Sequence, residues 1–424
     1  MDNRVVITGL GVVAPNGVGI ADFTHAIKNG ISGIQHNPEL EALGFSCQIS
    51  GTPPLTQEHI SACFSDLELR NFKSTGIMYG VIAGMEAWKD AGLEIVADSS
   101  PDWDAGVVFG MGTSGIDKFR EAIYKIDNLE VRKLGSTVVS QIMGSAVSAN
   151  LGGKLGLGNQ VTTNSSACAT GTEAILMAYE RIKTGAATRM LAGSTSDSGP
   201  FIWGGFDAMK VCTYKHNDSA EKGSRPMSAT ASGFVPGSGA GAMVLESLDS
   251  ALARGAKIYA EVLGGHVNSG GQRGSGTMTA PNSESVQRCI KAALKNAGVE
   301  PAEVDVIAAH LTATAKDALE IENWTLALNR SGSDFPYINS LKSLTGHCIS
   351  AAGSIECVAS VLQIYESFIF PNINCEDLNP EISNLIDSNK IPQVMIEKDI
   401  NILAKANFGF GDVNACIIFK KHTK

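Results

Sequence analysis

The chain has 424 residues, 44% hydrophobic and 18% charged, with 46 glycines and a formal net charge of −10. That length exceeds what one hydrophobic core supports, so two cores or a duplicated unit are expected. The acidic balance excludes a general nucleic-acid binder, and no apolar run approaches the ~20 residues of a membrane span. The 9 cysteines show neither CxxC nor zinc-type spacing. With Met1–Arg4 leading straight into a strand and no signal peptide, they point to a reduced, cytoplasmic protein.

Val5–Val13 reads as a buried strand kinked at Gly9-Leu-Gly11. Gly9, Gly11 and Ala14 fit a dinucleotide fingerprint, but Pro15-Asn16-Gly17 turns the chain where that motif needs a long helix. Phe23–Lys28 reads as a short helix and Thr75–Ala91 as a strongly apolar one stopping at Gly92. Ala105–Gly110 is a central strand opening into the glycine loop Met111–Gly115, and Gln141–Leu151 is a small-residue helix ended by Gly152-Gly153.

The next stretch organises the chain. β-favouring Val161-Thr-Thr passes through the small-residue corner Ser166-Ala-Cys168-Ala into a helix. A lone cysteine is usually a small core residue, but strand, corner and helix together make a nucleophile elbow. A thiol there faces unpaired N–H groups and the helix dipole, which predicts a pKa lowered from ~8.5 toward the ~3.5–7.5 of reactive cysteines. Cys168 is the expected nucleophile.

Met190–Gly193 is the following strand. The glycine run Gly233–Gly241 resembles a phosphate loop, yet no Lys-Ser/Thr follows and Ala242–Glu246 reads as a strand; its glycines suit close backbone packing at the site wall. From Ile258 the pattern restarts with strand Tyr259–Leu263, helix Ser285–Ala297, strand Val304–His310 and helix Lys316–Leu328. Helix Ser350–Tyr365 and strands Asn401–Asn407 and Ala415–Phe419 complete it. Such alternation predicts an α/β sheet covered on both faces, in halves 1–250 and 255–424. His310 and His347 each stand at an element end, where active-site groups gather. With Cys168 they form a zinc-type trio, but the distant segments lack local ligand spacing, so no metal is expected. Ala406-Asn-Phe408-Gly-Phe410-Gly-Asp412 is a glycine loop bearing two large apolar rings, suited to gating a tunnel.

Taken together these segments resemble the elongating β-ketoacyl-acyl-carrier-protein synthases of the thiolase superfamily. Ser166-Ala-Cys168-Ala-Thr-Gly171 matches the nucleophile motif. His310-Leu-Thr-Ala-Thr314, Lys342-Ser-Leu-Thr-Gly-His347 and Asn407-Phe-Gly-Phe-Gly411 follow in the family's order, with Arg225-Pro226, Gly237–Gly241 and Met278–Pro281 between. The resemblance implies a thiolase-like five-layer αβαβα fold of two pseudo-duplicated halves, usually a homodimer. It implies decarboxylative Claisen condensation of an acyl-Cys168 thioester with malonyl-carrier protein, in fatty-acid-type elongation. His310 and His347 would stabilise the enolate, Lys342 and Glu356 would orient His347, and the N–H groups of Cys168 and Phe408 would form the oxyanion hole. Thr312 and Thr314 would bind pantetheine and Thr113 would line the acyl pocket. No cofactor is implied beyond the carrier's phosphopantetheine arm. Acyl carrier protein is the expected partner, with Arg70 and Lys73 as docking candidates.

The chain departs from the family pattern at Leu311, Ala313, Ala231-Ser232, Ser238 and Asp412, and is one residue short between Thr314 and Asp317. These departures leave open a specialised polyketide, polyene or pigment ketosynthase, with a related subunit as partner. A thiolase, with Cys416 as second cysteine, is the more distant rival. A non-catalytic chain-length subunit is disfavoured by the presence of Cys168.

Overall fold

The computed structural model describes residues 3–96, 100–271 and 278–423, so Met1 and Asp2 of the N-terminal stretch lie outside it. Ten strands carry the fold: β1 Val5–Ala14, β2 Ala105–Met111, β3 Val161–Thr162, β4 Arg189–Ser196, β5 Gly239–Ser247, β6 Ala260–Ser269, β7 Val306–Ala308, β8 Tyr337–Asn339, β9 Ile402–Gly409 and β10 Val413–Lys420. Seven helices frame them: α1 Thr75–Asp90, α2 Ile116–Asp127, α3 Ala146–Leu155, α4 Thr170–Lys183, α5 Ser283–Ala297, α6 Asp317–Leu328 and α7 Ala352–Glu366.

The strands join in one sheet, ordered β8-β7-β9-β10-β6-β1-β5-β4-β2-β3, with Gly17–Val18 appended to β1. Read outward from the centre, β1-β5-β4-β2-β3 and β6-β10-β9-β7-β8 have the same topology. In each, two antiparallel pairings are followed by two parallel ones. The halves meet where Val5, Val6 and Ile7 of β1 pair antiparallel with Val262, Glu261 and Ala260 of β6. The second half therefore repeats the first.

Apolar runs such as β1, buried at every position, identify strands covered on both faces. Between the half-sheets lie α4 and α7, whose Ile175, Ala178, Ile355 and Val358 share a core with Val12, Met243, Leu403 and Ile417. Helices α1 and α3 cover the outer face of the first half, α5 and α6 that of the second. This is the five-layer αβαβα arrangement. Gly9 and Gly11 serve it directly: a Cβ on either would stand 2.1 or 2.0 Å from carbonyl oxygens of α1. Those glycines seat a helix on a strand.

Expected elements shift where packing outweighs local signal. Gln141–Leu151 was read as one helix; the chain instead forms Val138–Ile142 and then α3. Gly152-Gly153, read as its end, lies inside α3, where a Cβ on Gly152 would reach 3.0 Å from Val161. Among the described residues no helix is long and apolar enough to cross a membrane.

Candidate active site

Cys168 lies in the 3₁₀ turn Ala167–Ala169 leading into α4. Ala167 takes φ 48°, and Thr170 fixes the corner by accepting from the Ser166 N–H at 2.8 Å and donating to the Ala167 carbonyl at 2.7 Å. The sulfur faces the backbone N–H groups of Phe410 and of Cys168 itself. Burial nonetheless pushes the thiol up to about 11, against the pull of the Lys342 ammonium and those two donors. The lowered pKa expected from the helix terminus is thus overturned by burial.

His310 follows β7, and His347 follows the short helix Lys342–Thr345. The donor atoms of Cys168, His310 and His347 lie within 4.8 Å of one another, all buried. The ring centroids of the two histidines are 5.5 Å apart in an edge-on arrangement. Burial first, then Lys342, holds His347 at about 3 and His310 well below the usual range, so both imidazoles are neutral.

Their tautomers follow from their partners. Nδ1 of His347 accepts from the Ile349 N–H at 3.1 Å. Nδ1 of His310 faces the Lys342 ammonium at 3.4 Å and the Asn407 amide nitrogen at 3.2 Å, both donors only. The remaining proton of each ring therefore sits on Nε2. A metal-bound histidine has the reverse arrangement, donating from its outer nitrogen while the inner one holds the ion. The trio is accordingly a poor cation site.

Beneath it lies a buried ionic cluster. Lys342 donates to Glu356 Oε1 at 2.5 Å and to the His310 carbonyl at 2.6 Å. Glu356 Oε2 meets Lys405 at 2.8 Å and the Asn407 amide at 2.9 Å. Burial works against the charge of Glu356, but the two ammoniums outweigh it and hold the carboxyl at about 2. Glu356 contacts Lys342 and, through Asn407, His310; the ring it was expected to orient, His347, is instead held by the Ile349 N–H.

The loop after His310 is held by two carboxylates from the start of α6. Glu320 accepts from the His310 and Leu311 N–H groups, each at 2.7 Å, and Asp317 from those of Thr312, Ala313 and Thr314 at 3.0–3.3 Å. Burial raises Asp317 to about 6 and Glu320 to about 7. Ala313, at φ 60°, completes the curl. The Thr312 and Thr314 hydroxyls stand 3.1 Å apart. They line a cavity of about 300 Å³ running from Cys168, His310 and His347 to exposed Lys316 and Met278.

Two expectations need correcting. The N–H at the sulfur belongs to Phe410, not Phe408, because β9 continues through Phe408, paired opposite Asn414, and the chain turns only after Gly409. The Phe408 ring instead lies 6.1 Å from that of His310, and Phe410 stacks near Phe206 at 6.0 Å. Thr113 is exposed on the loop after β2 and does not line the cavity. Arg70 and Lys73 are also exposed and away from it, Lys73 already paired with Glu121 at 3.2 Å. Cys416, the thiolase-type candidate, is fully buried in β10 and its thiol is pushed far up. Lys405, Asp317 and Glu320 were not singled out. A lysine inside the apolar strand Ile402-Leu-Ala-Lys-Ala was the available signal, since a buried charge requires a partner.

Known proteins share this sequence and fold. Family models for the β-ketoacyl synthase N-terminal and C-terminal domains match residues 2–251 and 259–376. The chain is 33% identical to a Vibrio harveyi protein named 3-oxoacyl-[acyl-carrier-protein] synthase 2, over 99% of this chain and 98% of that one. A β-ketoacyl synthase structure from Burkholderia phymatum superposes with TM-score 0.88 at 28% identity, covering 99% of this chain and 100% of that one. A type II polyketide ketosynthase, AntDE, solved bound to its acyl-carrier protein AntF, gives TM-score 0.88 at 29% identity, with both chains fully covered. With two buried imidazoles and a thiol held in this way, the chain belongs to the β-ketoacyl synthase family and is an acyltransferase-class enzyme.

Proposed function

We propose that the chain condenses an acyl group on Cys168 with malonyl-carrier protein, releasing carbon dioxide and a β-ketoacyl-carrier product. The observation that carries this is the tautomer pair: both rings are fixed as Nε2–H donors beside one sulfur. Cys168 takes the acyl group from a carrier thioester and gives its proton to the departing carrier thiol. Malonyl thioester then loses carbon dioxide, and the C–C electron pair passes into an enolate whose oxygen accepts from His310 and His347. The enolate carbon attacks the acyl-Cys168 carbonyl. The tetrahedral oxyanion lies toward the N–H groups of Cys168 and Phe410, and collapse expels the Cys168 sulfur. Every atom comes from the substrates and these side chains, so the reaction uses no cofactor. Thr312 and Thr314 bind the pantetheine arm in the cavity, and acyl carrier protein delivers it.

The working unit is a homodimer. The supporting surfaces are the outer face of α2 and the following turn, where Phe119, Tyr124 and Leu129 are exposed, and the open edge of β3. All 9 cysteines are unpaired, in keeping with a reducing cytoplasm. The likeness to the polyketide ketosynthase supports a second reading, a specialised pathway with a related subunit as partner.

Incubation with acyl-carrier proteins of graded length plus malonyl-carrier protein, read by mass, tests both. β-Ketoacyl products two carbons longer are expected, with an acyl adduct on wild type that Cys168→Ala lacks. Saturated acyl groups preferred over unsaturated or keto-bearing ones would favour fatty-acid elongation, and the converse the specialised pathway. An adduct persisting on Cys168→Ala would sink the assignment.

A further inference from the structure

Lys405 is fully buried in the middle of β9, among Leu403, Ala404 and Ala406. Its ammonium uses all three hydrogens, toward the Ala406 carbonyl at 2.5 Å, Glu356 Oε2 at 2.8 Å and Asn407 Oδ1 at 2.9 Å. Glu356 is already neutralised by Lys342, so a second buried ammonium is not needed to balance charge and is costly to place. Its effect is on Asn407. An ammonium only donates, so it must face the amide oxygen, to which the Thr172 hydroxyl also donates at 2.6 Å. The amide nitrogen is thereby turned toward Glu356 and toward Nδ1 of His310. A flipped amide would set its NH2 against the ammonium and its oxygen against a carboxylate. With Nδ1 facing donors only, His310 keeps its proton on Nε2, the atom that opens into the chamber.

We propose that Lys405 is a positioning residue that selects the Nε2–H tautomer of His310 through the Asn407 amide, so that this ring stays a donor to the reacting oxygen. The inference rests on the reading of His310 as enolate donor. It extends that reading to a residue that touches no substrate and assigns the second lysine of the cluster a purpose distinct from the first.

The test is Lys405→Met, near in length and without donor or charge, made in the full chain labelled with 15N-histidine. Long-range 1H–15N spectra, with His310 assigned by difference from His310→Ala, report the tautomer. Carbon dioxide release from malonyl-carrier protein and acyl transfer to Cys168 are measured separately. Wild type should show His310 as Nε2–H, and Lys405→Met a mixture of tautomers. Decarboxylation should fall in proportion to the Nε2–H fraction lost, toward a limit of about 10²-fold for a fully inverted ring, while acyl transfer stays within about threefold. Should that variant fail to fold, Asn407→Asp puts an acceptor on both sides of the relay. It should invert His310 to Nδ1–H, and an unchanged Nε2–H there overturns the proposal. A wild-type tautomer in Lys405→Met, or equal loss in both half-reactions, overturns it as well. If His310→Ala itself leaves decarboxylation intact, the enolate role falls, while the tautomer spectra still judge the relay from Lys405.

Discussion

Desolvation and donation oppose each other at Cys168, and desolvation wins, leaving a thiol raised to about 11. The thiolate fraction below that value rises about tenfold per pH unit. Modification of Cys168 by iodoacetamide, located by peptide mass, should therefore keep accelerating beyond pH 9 in the substrate-free enzyme. A plateau near neutral pH would mean that the two N–H donors and Lys342 outweigh burial after all. The histidines obey the same physics with the opposite sign. Burial and the nearby ammoniums disfavour their cationic forms, so they act as neutral donors.

At the scale of elements, the start of α6 is what holds the His310 loop, through five backbone N–H groups on Asp317 and Glu320. Glu320 has a folded pKa of about 7 against an ordinary 4.5. Being raised, its contribution to stability is complete below 4.5 and is lost as pH rises through about 7. Glu320→Gln cannot ionise, so its urea midpoint should lack the decline that wild type shows across that window. Parallel profiles would rule out Glu320 as the source. The chain's periodicity reveals α1, α5 and most strands to within a few residues, but not β8 (Tyr337–Asn339) or the full length of β6 (Ala260–Ser269). It misses the break before α3, and also the run of α3 past Gly152-Gly153, where packing of Gly152 on Val161 overrides a local helix-stop signal. The motifs carrying Cys168, His310 and His347 were legible because corner and loop chemistry is local. Phe410 was misplaced by two residues, because where β9 ends depends on its pairing with β10. Asp317 and Glu320 reach back 3–10 positions to cradle a loop, and Lys405 meets Glu356 from another element; no local pattern announces such partners.

For the whole molecule, the proposed dimer contact is the exposed apolar face of α2 and the open β3 edge, both on the first half. Native mass and light scattering should give a dimer. Phe119→Asp combined with Tyr124→Asp should release monomers while lowering the unfolding free energy of the subunit by no more than about 1 kcal/mol, as expected of exposed positions. Dimers surviving that pair of charges would move the interface elsewhere. Within each chain the internal repeat brings the N-terminal ends of α4 and α7 together, with backbone touching backbone: a Cβ on Gly171 would lie 2.2 Å from the Ser354 nitrogen, and one on Gly353 2.7 Å from the Thr172 nitrogen. Cys168 and His347 stand just ahead of those two ends, one from each copy of the repeat.

The strand at the seam is also translated well before the two long strands that flank it. Apart from the two-residue pairing with Gly17–Val18, β1 finds its partners in Gly239–Ser247 and Ala260–Ser269, so most of its length waits for some 230 further residues. At ~5–20 residues per second that wait lasts roughly 10–50 seconds. During it most of an apolar ten-residue ribbon has no mate of its own. Nascent-chain shielding in that interval, more than the ease of the later repeat, should set how much active enzyme a cell obtains.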